Sequence, residues 1–286
     1  KGNTPVNGAA GADQLEKMSL DQVKLVHGQM LKGGSGRFYG AGNIPADSLN
    51  QLVATVSDKL SLTAGDVAPP VVVRNLKRTD QPFASEYHVD HGDSAALLYL
   101  QGDADKLRER ATFALLDVMV SAPFYSSLRT EKQLGYAGGS SLAPVERVPG
   151  LMFYVQSPKV DAEGLQKEIT GFLTDFTAKV DAITQEDLDR YRQSVLARLE
   201  EKPKNLRELA QRHLESLDLG YRDFDFREKL AKALQAITLN ELKAAYKRVV
   251  LADKAGLWVL TTEDKGKGVG EKIPESHLEA GFSYKF

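Results

Sequence analysis

The chain has 286 residues, 42% of them hydrophobic and 27% charged, a balance that suits a folded globular protein and excludes disorder throughout. Its formal net charge of −2 comes from interspersed residues of both signs, so no broad cationic face points to nucleic acid or anionic lipid. The absence of cysteine excludes a disulfide framework and all thiolate chemistry, and is compatible with cytoplasm or periplasm alike.

No uninterrupted apolar run approaches the roughly 18 residues of a membrane span, so none is expected. Lys1 to Ala12 lack both an initiator methionine and the apolar core of a signal peptide. Residues 1–13 read as a flexible lead, and the chain as a piece of a longer protein. Ser19-Leu-Asp-Gln22 offers a capping box, and Leu20, Val23, Val26 and Met30 follow at helical spacing until Gly33-Gly34. Arg37 to Asn43 reads as a short strand, and Pro45 opens a second helix with Leu49, Leu52, Val53, Val56 and Leu60 on one stripe. Helix, strand and helix over 14–62 are too little to close a core, since one strand has no sheet to join. This stretch reads as the tail of a preceding α+β domain.

Gly65 and Pro69-Pro70 mark a linker, after which a new domain is expected over 71–262. Val71–Arg74, Ser85–Asp90 and Ala95–Gln101 read as strands, and Asp103 as the cap of a long helix that Pro123 breaks or restarts. Two strands follow, Gly135–Leu142 and Gly150–Ser157. Residues 161–250 read as almost wholly helical: 163–181, 185–200, 204–219, 226–235 and 239–250, with caps at Thr184 and Thr238 and a break at Pro203. Ala255–Thr261 is a returning strand, and 263–286 an extended tail. The fold class is therefore α+β, a mainly antiparallel or mixed sheet packed against helices.

The stretch with most chemical content is Pro123-Phe-Tyr-Ser-Ser-Leu-Arg-Thr-Glu-Lys-Gln-Leu-Gly-Tyr136, a helix giving way to a strand with Arg129 and Tyr136 at the junction. A guanidinium there presents a rigid donor fork for peptide carbonyls or carboxylates. The Tyr136 hydroxyl could donate to a carbonyl gaining negative charge. The same residues also fit a blander account, in which Arg129 forms a structural ion pair and Tyr136 is packed in the core.

Leu128-Arg129-Thr130-x-x-Gln133-Leu134-Gly135-Tyr136 resembles a signature of the pitrilysin/insulinase metallopeptidases. Tyr39-Gly-Ala-Gly42-Asn43, Val155-Gln156-Ser157 and Leu199 to Leu206 with Lys202-Pro203 extend the resemblance over about 14–262. Members have four related α+β domains, of the kind also seen in processing peptidases, in two halves that close on a peptide-filled chamber. The zinc motif H-x-x-E-H lies in the N-terminal half alone. The resemblance implies that this chain is the end of the third domain plus the fourth, non-catalytic and in contact with substrate. It implies that zinc belongs to the N-terminal catalytic half, on the same chain or in a separate subunit. Peptide substrate is the implied partner, with Arg129 and Tyr136 as backbone contacts and Tyr125 lining the peptide site. A periplasmic location is implied, with the cytoplasm as the alternative. A structural or partner homologue without proteolytic activity is the rival account. One departure is Ala137-Gly138-Gly139-Ser140-Ser141, small where the family alternates bulky apolar residues, which leaves the strand behind Tyr136 weaker.

None of His27, His88, His91, His213 and His277 stands in H-x-x-E-H or H-E-x-x-H. His88 and His91 are three apart in strand-like sequence, which puts their rings on opposite faces. No metal site is expected in this chain. Nor does the sequence hold a G-x-S-x-G elbow, a P-loop or a dinucleotide fingerprint. The charged stretch Arg207 to Arg227 has the spacing of solvated helix faces, and Tyr221 to Phe226 that of a helix-joining loop with core anchors.

Overall fold

The computed structural model describes residues 15–31, 34–63, 71–88, 92–103, 106–262 and 273–284. The chain divides into two compact units, one drawing on Lys1–Val72, Pro203–Arg212 and Ser283–Phe286, the other on Val73–Lys202 and His213–Phe282.

The first unit holds α1 (Leu20–Leu31) and α2 (Ala46–Lys59). The capping box forms as the sequence predicts: Ser19 N donates to Gln22 Oε1 at 2.8 Å, and Gln22 N to Ser19 Oγ at 3.2 Å. Pro45 sits at the N-cap of α2, where a missing N–H is no loss. The strand expected over Arg37–Asn43 does not form. A ladder needs a neighbour, and among the described residues no strand pairs with this segment. Nor does the stripe on α2 find a core: none of its residues is buried, and Leu20, Val23, Leu25 and Val26 of α1 are exposed as well.

The second unit runs through β1 (Val71–Leu76), β2 (Arg78–Thr79), β3 (Phe83–His88), β4 (Ser94–Gln101) and α3 (Leu107–Tyr125), then a π-helical turn over Ser126–Glu131. β5 (Ala137–Leu142) and β6 (Gly150–Ser157) precede the helices α4 (Ala162–Asp175), α5 (Thr177–Ala182), α6 (Gln185–Glu200), α7 (Leu206–Asp218, whose residues up to Arg212 count with the first unit), α8 (Phe226–Gln235) and α9 (Leu239–Tyr246). A second π-helical turn, Lys247–Leu251, leads into β7 (Lys254–Thr262), and β8 (Leu278–Tyr284) ends the described chain. The main sheet has the order β2-β7-β4-β6-β5, with β3 also paired to β7. The β3–β7 pairing is parallel and the others are antiparallel. The fold is α+β, a mixed and mainly antiparallel sheet with helices packed on it.

Period-two alternation sorts the sheet into two faces. Ala96, Leu98 and Leu100 of β4, Leu151, Phe153 and Val155 of β6, and Trp258 and Leu260 of β7 join the helices in one buried core. α3 supplies its centre through Phe113, Leu115, Leu116, Met119 and Phe124. A run of aromatic rings, Phe153–Phe124–Phe172–Phe176–Tyr246, crosses this core with successive centroids 5.2, 5.2, 5.4 and 5.9 Å apart. The Tyr246 hydroxyl, buried at its end, donates to Leu173 O at 2.7 Å. Helix and π turn together, Leu107–Glu131, are long and apolar enough to cross a membrane by length and composition, but burial in this core accounts for the apolar face.

Three sequence expectations need correction. Asp103 does not cap α3, whose N-cap is Lys106; Asp103 instead pairs with Arg78 and Arg248. Pro123 neither breaks nor restarts the helix, which continues through it to Tyr125 and then widens. A proline removes one N–H and crowds the carbonyl four residues earlier, but on both sides of it Val120 and Phe124 are anchored in the core. The tail is not simply extended: β8 pairs with β1 in a two-stranded sheet. Gly281 makes that approach possible, since a Cβ there would lie 1.6 Å from Val73 O. Residues 263–272 lie outside the described residues. The helix expectations at Thr184 and Thr238 hold, each with a capping box. In the loop before α8, Phe226 is the buried anchor, while Phe224 stays partly exposed and stacks on His213 at 4.4 Å.

Candidate functional site

The π turn is where the predicted site residues begin. In it the backbone bonds reach further than in an α-helix: Lys132 N donates to Ser127 O at 3.0 Å, and Leu134 N to Leu128 O at 3.0 Å. Such turns are less favourable than α-helix and occur mostly as single turns, often at functional positions. Leu128 is buried on its inner side, while Arg129 projects outward and its guanidinium lies 5.0 Å from the centre of the Tyr125 ring. That contact orients the cation without neutralising it. Among the described residues no ion pair or hydrogen bond occupies Arg129, which removes the structural-ion-pair account of it.

After the turn the chain passes Gln133, at φ +50°, and Leu134, then Gly135 lies against β6. A Cβ on Gly135 would fall 1.9 Å from Gln156 O, so only glycine permits this approach. Tyr136 follows immediately and is 89% exposed, which excludes the packed-core account. The two readings left open by chemistry alone are thus resolved toward accessibility: Arg129 and Tyr136 line one cleft of about 240 Å³, with Gln133, Leu134, Gly135, Pro158 and Lys159. Tyr125 is exposed and lies outside the cleft lining, with its ring beneath the Arg129 guanidinium.

The two walls of this cleft are tied by one hydroxyl. Ser157, 1% exposed, donates through Oγ to Leu134 O on the first wall. The same oxygen accepts from Lys159 N at 3.0 Å and Val160 N at 3.1 Å on the second. Lys132 pairs with Glu168, fixing the end of the π turn to α4. Sequence reasoning singled out Arg129 and Tyr136 and gave no site role to Ser157 and Lys159, whose only signal was Ser157-Pro158-Lys159 closing a strand.

β5 runs along the edge of the sheet beyond β6. Its Ala-Gly-Gly-Ser-Ser-Leu sequence forms the strand despite the weak propensity, because all six residues are in register with β6, Ala137 opposite Gln156 through Leu142 opposite Leu151. Tertiary pairing overrides local preference here. The sheet face turned away from the helices carries Leu97, Tyr99, Met152, Leu257 and Val259, partly buried, and Tyr154, 38% exposed. It is a mostly apolar floor.

Among the described residues no group of three or more histidine, aspartate or glutamate side chains could hold a metal ion. His88 stands in β3, and His91 lies outside the described residues.

Residues 115–214, which span the second half of α3, the π turn, Arg129, Tyr136, Ser157 and Lys159, match the family described as PQQ synthase PqqF-like, C-terminal lobe domain 4. Protease 3 of Salmonella typhi is 26% identical over 248 residues, covering 86% of this chain and 26% of that protein. A nardilysin-like protein of Arabidopsis thaliana is 31% identical over 159 residues, covering 54% of this chain and 15% of its own. The crystal structure of pitrilysin superposes with a TM-score of 0.79 at 23% identity, over 93% of this chain and 28% of that one, so the fold is the same. The chain spans about a quarter of the length of the Protease 3 relatives it matches. The signature, the fold and these matches agree in likening the chain to the C-terminal lobe of pitrilysin/insulinase-type peptidases.

Proposed function

We propose that this chain is the non-catalytic, substrate-contacting C-terminal region of a zinc-dependent endopeptidase that degrades peptides in a closed chamber. The observation that carries the reading is the pairing of an uncommitted Arg129 with an exposed Tyr136 on one cleft. The Arg129 fork donates to substrate carbonyls and holds the peptide backbone. The Tyr136 hydroxyl donates to a carbonyl as it gains negative charge, an interaction that strengthens between ground state and transition state. The apolar sheet face supports weak, sequence-tolerant contact with the remainder of an extended peptide. Zinc and the residues that bind it are assigned to the N-terminal catalytic half, on the same chain or in a separate subunit, and this chain contributes the contacts of Arg129 and Tyr136 to the substrate. The exposed apolar faces of α1 and α2 support the reading of residues 14–62 as the end of a preceding domain, with 71–262 as a complete one. A periplasmic location follows from the family resemblance.

The test is peptide hydrolysis by the protein that contains this chain. Tyr136→Phe is expected to lower kcat by about 100-fold, the lower end of the range for removal of one oxyanion donor, and Arg129→Ala to raise KM as well. Unchanged kcat/KM in both variants would refute the assignment. A protein that carries this chain, retains its fold and cuts no peptide would instead be the non-enzymatic partner.

A further inference from the structure

We infer that the cleft selects peptide segments carrying a carboxylate, with Lys159 as the residue that confers the preference; this rests on the peptide-contact reading above and extends it to substrate class. Of the seven residues that line the cleft, Arg129 and Lys159 are the charged ones, and no acidic residue lines it. Two lysines of the flanking elements are committed elsewhere. Lys132 is paired with Glu168 and Lys167 with Glu163, whereas among the described residues Arg129 and Lys159 have no side-chain ion pair or hydrogen bond. Arg129 and Lys159 line the same cleft, whose two sides are joined through the backbone. Ser157 Oγ binds Leu134 O on the Arg129 side and the amides of Lys159 and Val160 on the other. An anion in the cleft would meet positive charge from both sides.

The chemistry of the two differs usefully. Arg129 presents a planar fork that suits a backbone carbonyl or one edge of a carboxylate, whereas Lys159 is a point charge on a flexible stem with no directional demand. Lys159 therefore adds affinity for negative charge without fixing the peptide backbone. Gln133 and Tyr136 supply further polar contacts at the same cleft. The carboxylate could be an aspartate or glutamate side chain, or the free C-terminus of a peptide.

Fluorescence anisotropy on the 286-residue chain would test this with three N-terminally labelled hexapeptides of matched sequence. One has a central Glu and an amidated end, one a central Gln and an amidated end, and one a central Gln and a free C-terminal carboxylate. At low salt one of the acidic peptides is expected to bind about five- to tenfold tighter than the neutral one, with about two- to fivefold from each solvent-exposed cation. The preference should shrink as ionic strength rises. Which acidic peptide is favoured identifies the source of the carboxylate. Lys159→Met should reduce the preference by about two- to fivefold, weakening the acidic peptides more than the neutral one, and Lys167→Met, outside the cleft, should leave the preference unchanged. Equal binding of all three peptides, or a Lys159→Met chain that keeps its preference, overturns the proposal. Weakening of all three by Arg129→Ala would in that case leave peptide contact standing. Failure of all three to bind overturns both readings.

Discussion

Replacing glycine by alanine at two positions of the second unit should move stability in opposite directions. At Gly135 the added methyl would lie 1.9 Å from Gln156 O and 3.0 Å from its carbonyl carbon, well inside contact distance. β6 cannot retreat cheaply, because it is paired on one side with β4 and on the other with β5. The 133–136 segment must move instead, at the expense of the Ser157 bond to Leu134 and the shape of the cleft. Overpacking of this kind costs about 1–3 kcal/mol, and the lost hydrogen bond about 1 kcal/mol more. At Gly171, inside α4, nothing lies within 4 Å of the new methyl, and an interior helix glycine is about 0.5–1 kcal/mol worse than alanine. Gly135→Ala should therefore lower Tm by several degrees and Gly171→Ala raise it by about 1–4 °C, at roughly 2–4 °C per kcal/mol for a unit of this size. Trp258, the only tryptophan and 4% exposed, reports unfolding of this unit directly through its fluorescence. A Gly135→Ala chain as stable as the parent, with peptide affinity intact, would show that the close approach to β6 does not shape the cleft.

Ser157→Ala should destabilise by about 1–3 kcal/mol, because it leaves a buried carbonyl and two amides short of partners, and should weaken peptide binding more than its stability effect alone explains. Asp117 is raised above the ordinary carboxylate range, first by burial, against the opposing effects of Ser121 and Arg198. Its ionised form therefore opposes folding, so Asp117→Asn should be more stable at pH 7, with the advantage lost in acid where the parent carboxyl is protonated. Glu241 lies on the other side of that balance. The Arg108 hydrogen bond, then those to Thr238, hold it at about 2 against an ordinary 4.5. Its contribution is whole above about pH 4.5 and fades as pH falls toward 2; exposure limits it to about 0.5–1 kcal/mol. A denaturation series on Glu241→Gln should show a deficit at pH 7 that closes over that range.

Local chemistry made several elements legible. Thr184 and Thr238 each carry an acidic residue three positions later, and both capping boxes form. The alternation in β6 and the apolar run of β7 likewise carry their own information. What the sequence hid depends on distant neighbours. Arg37–Asn43 has strand-like residues but, among the described residues, no strand that pairs with it, whereas Leu278–Tyr284 is hidden in a polar tail and becomes a strand because β1 is there to receive it. Pro123 reads as a helix end, yet core packing on both sides carries the helix through it. The site divides the same way. Arg129 and Tyr136 stand in one recognisable stretch, but Ser157 and Lys159 join them only because β5 and β6 pair in one register.

The widened turn at Ser126–Glu131 also makes the site sensitive to chain length. A π turn accommodates more residues per turn than an α-helix, so deleting one residue there would let the helix run on regularly with its core contacts up to Phe124 intact. Residues before and after the turn would keep their phase, while those within it, Arg129 among them, would shift about the axis relative to the Tyr125 ring and the cleft. Point substitutions on the outer side of the turn would be tolerated far better than such a deletion. A single-codon loss could thus leave a well-folded protein with no working cleft.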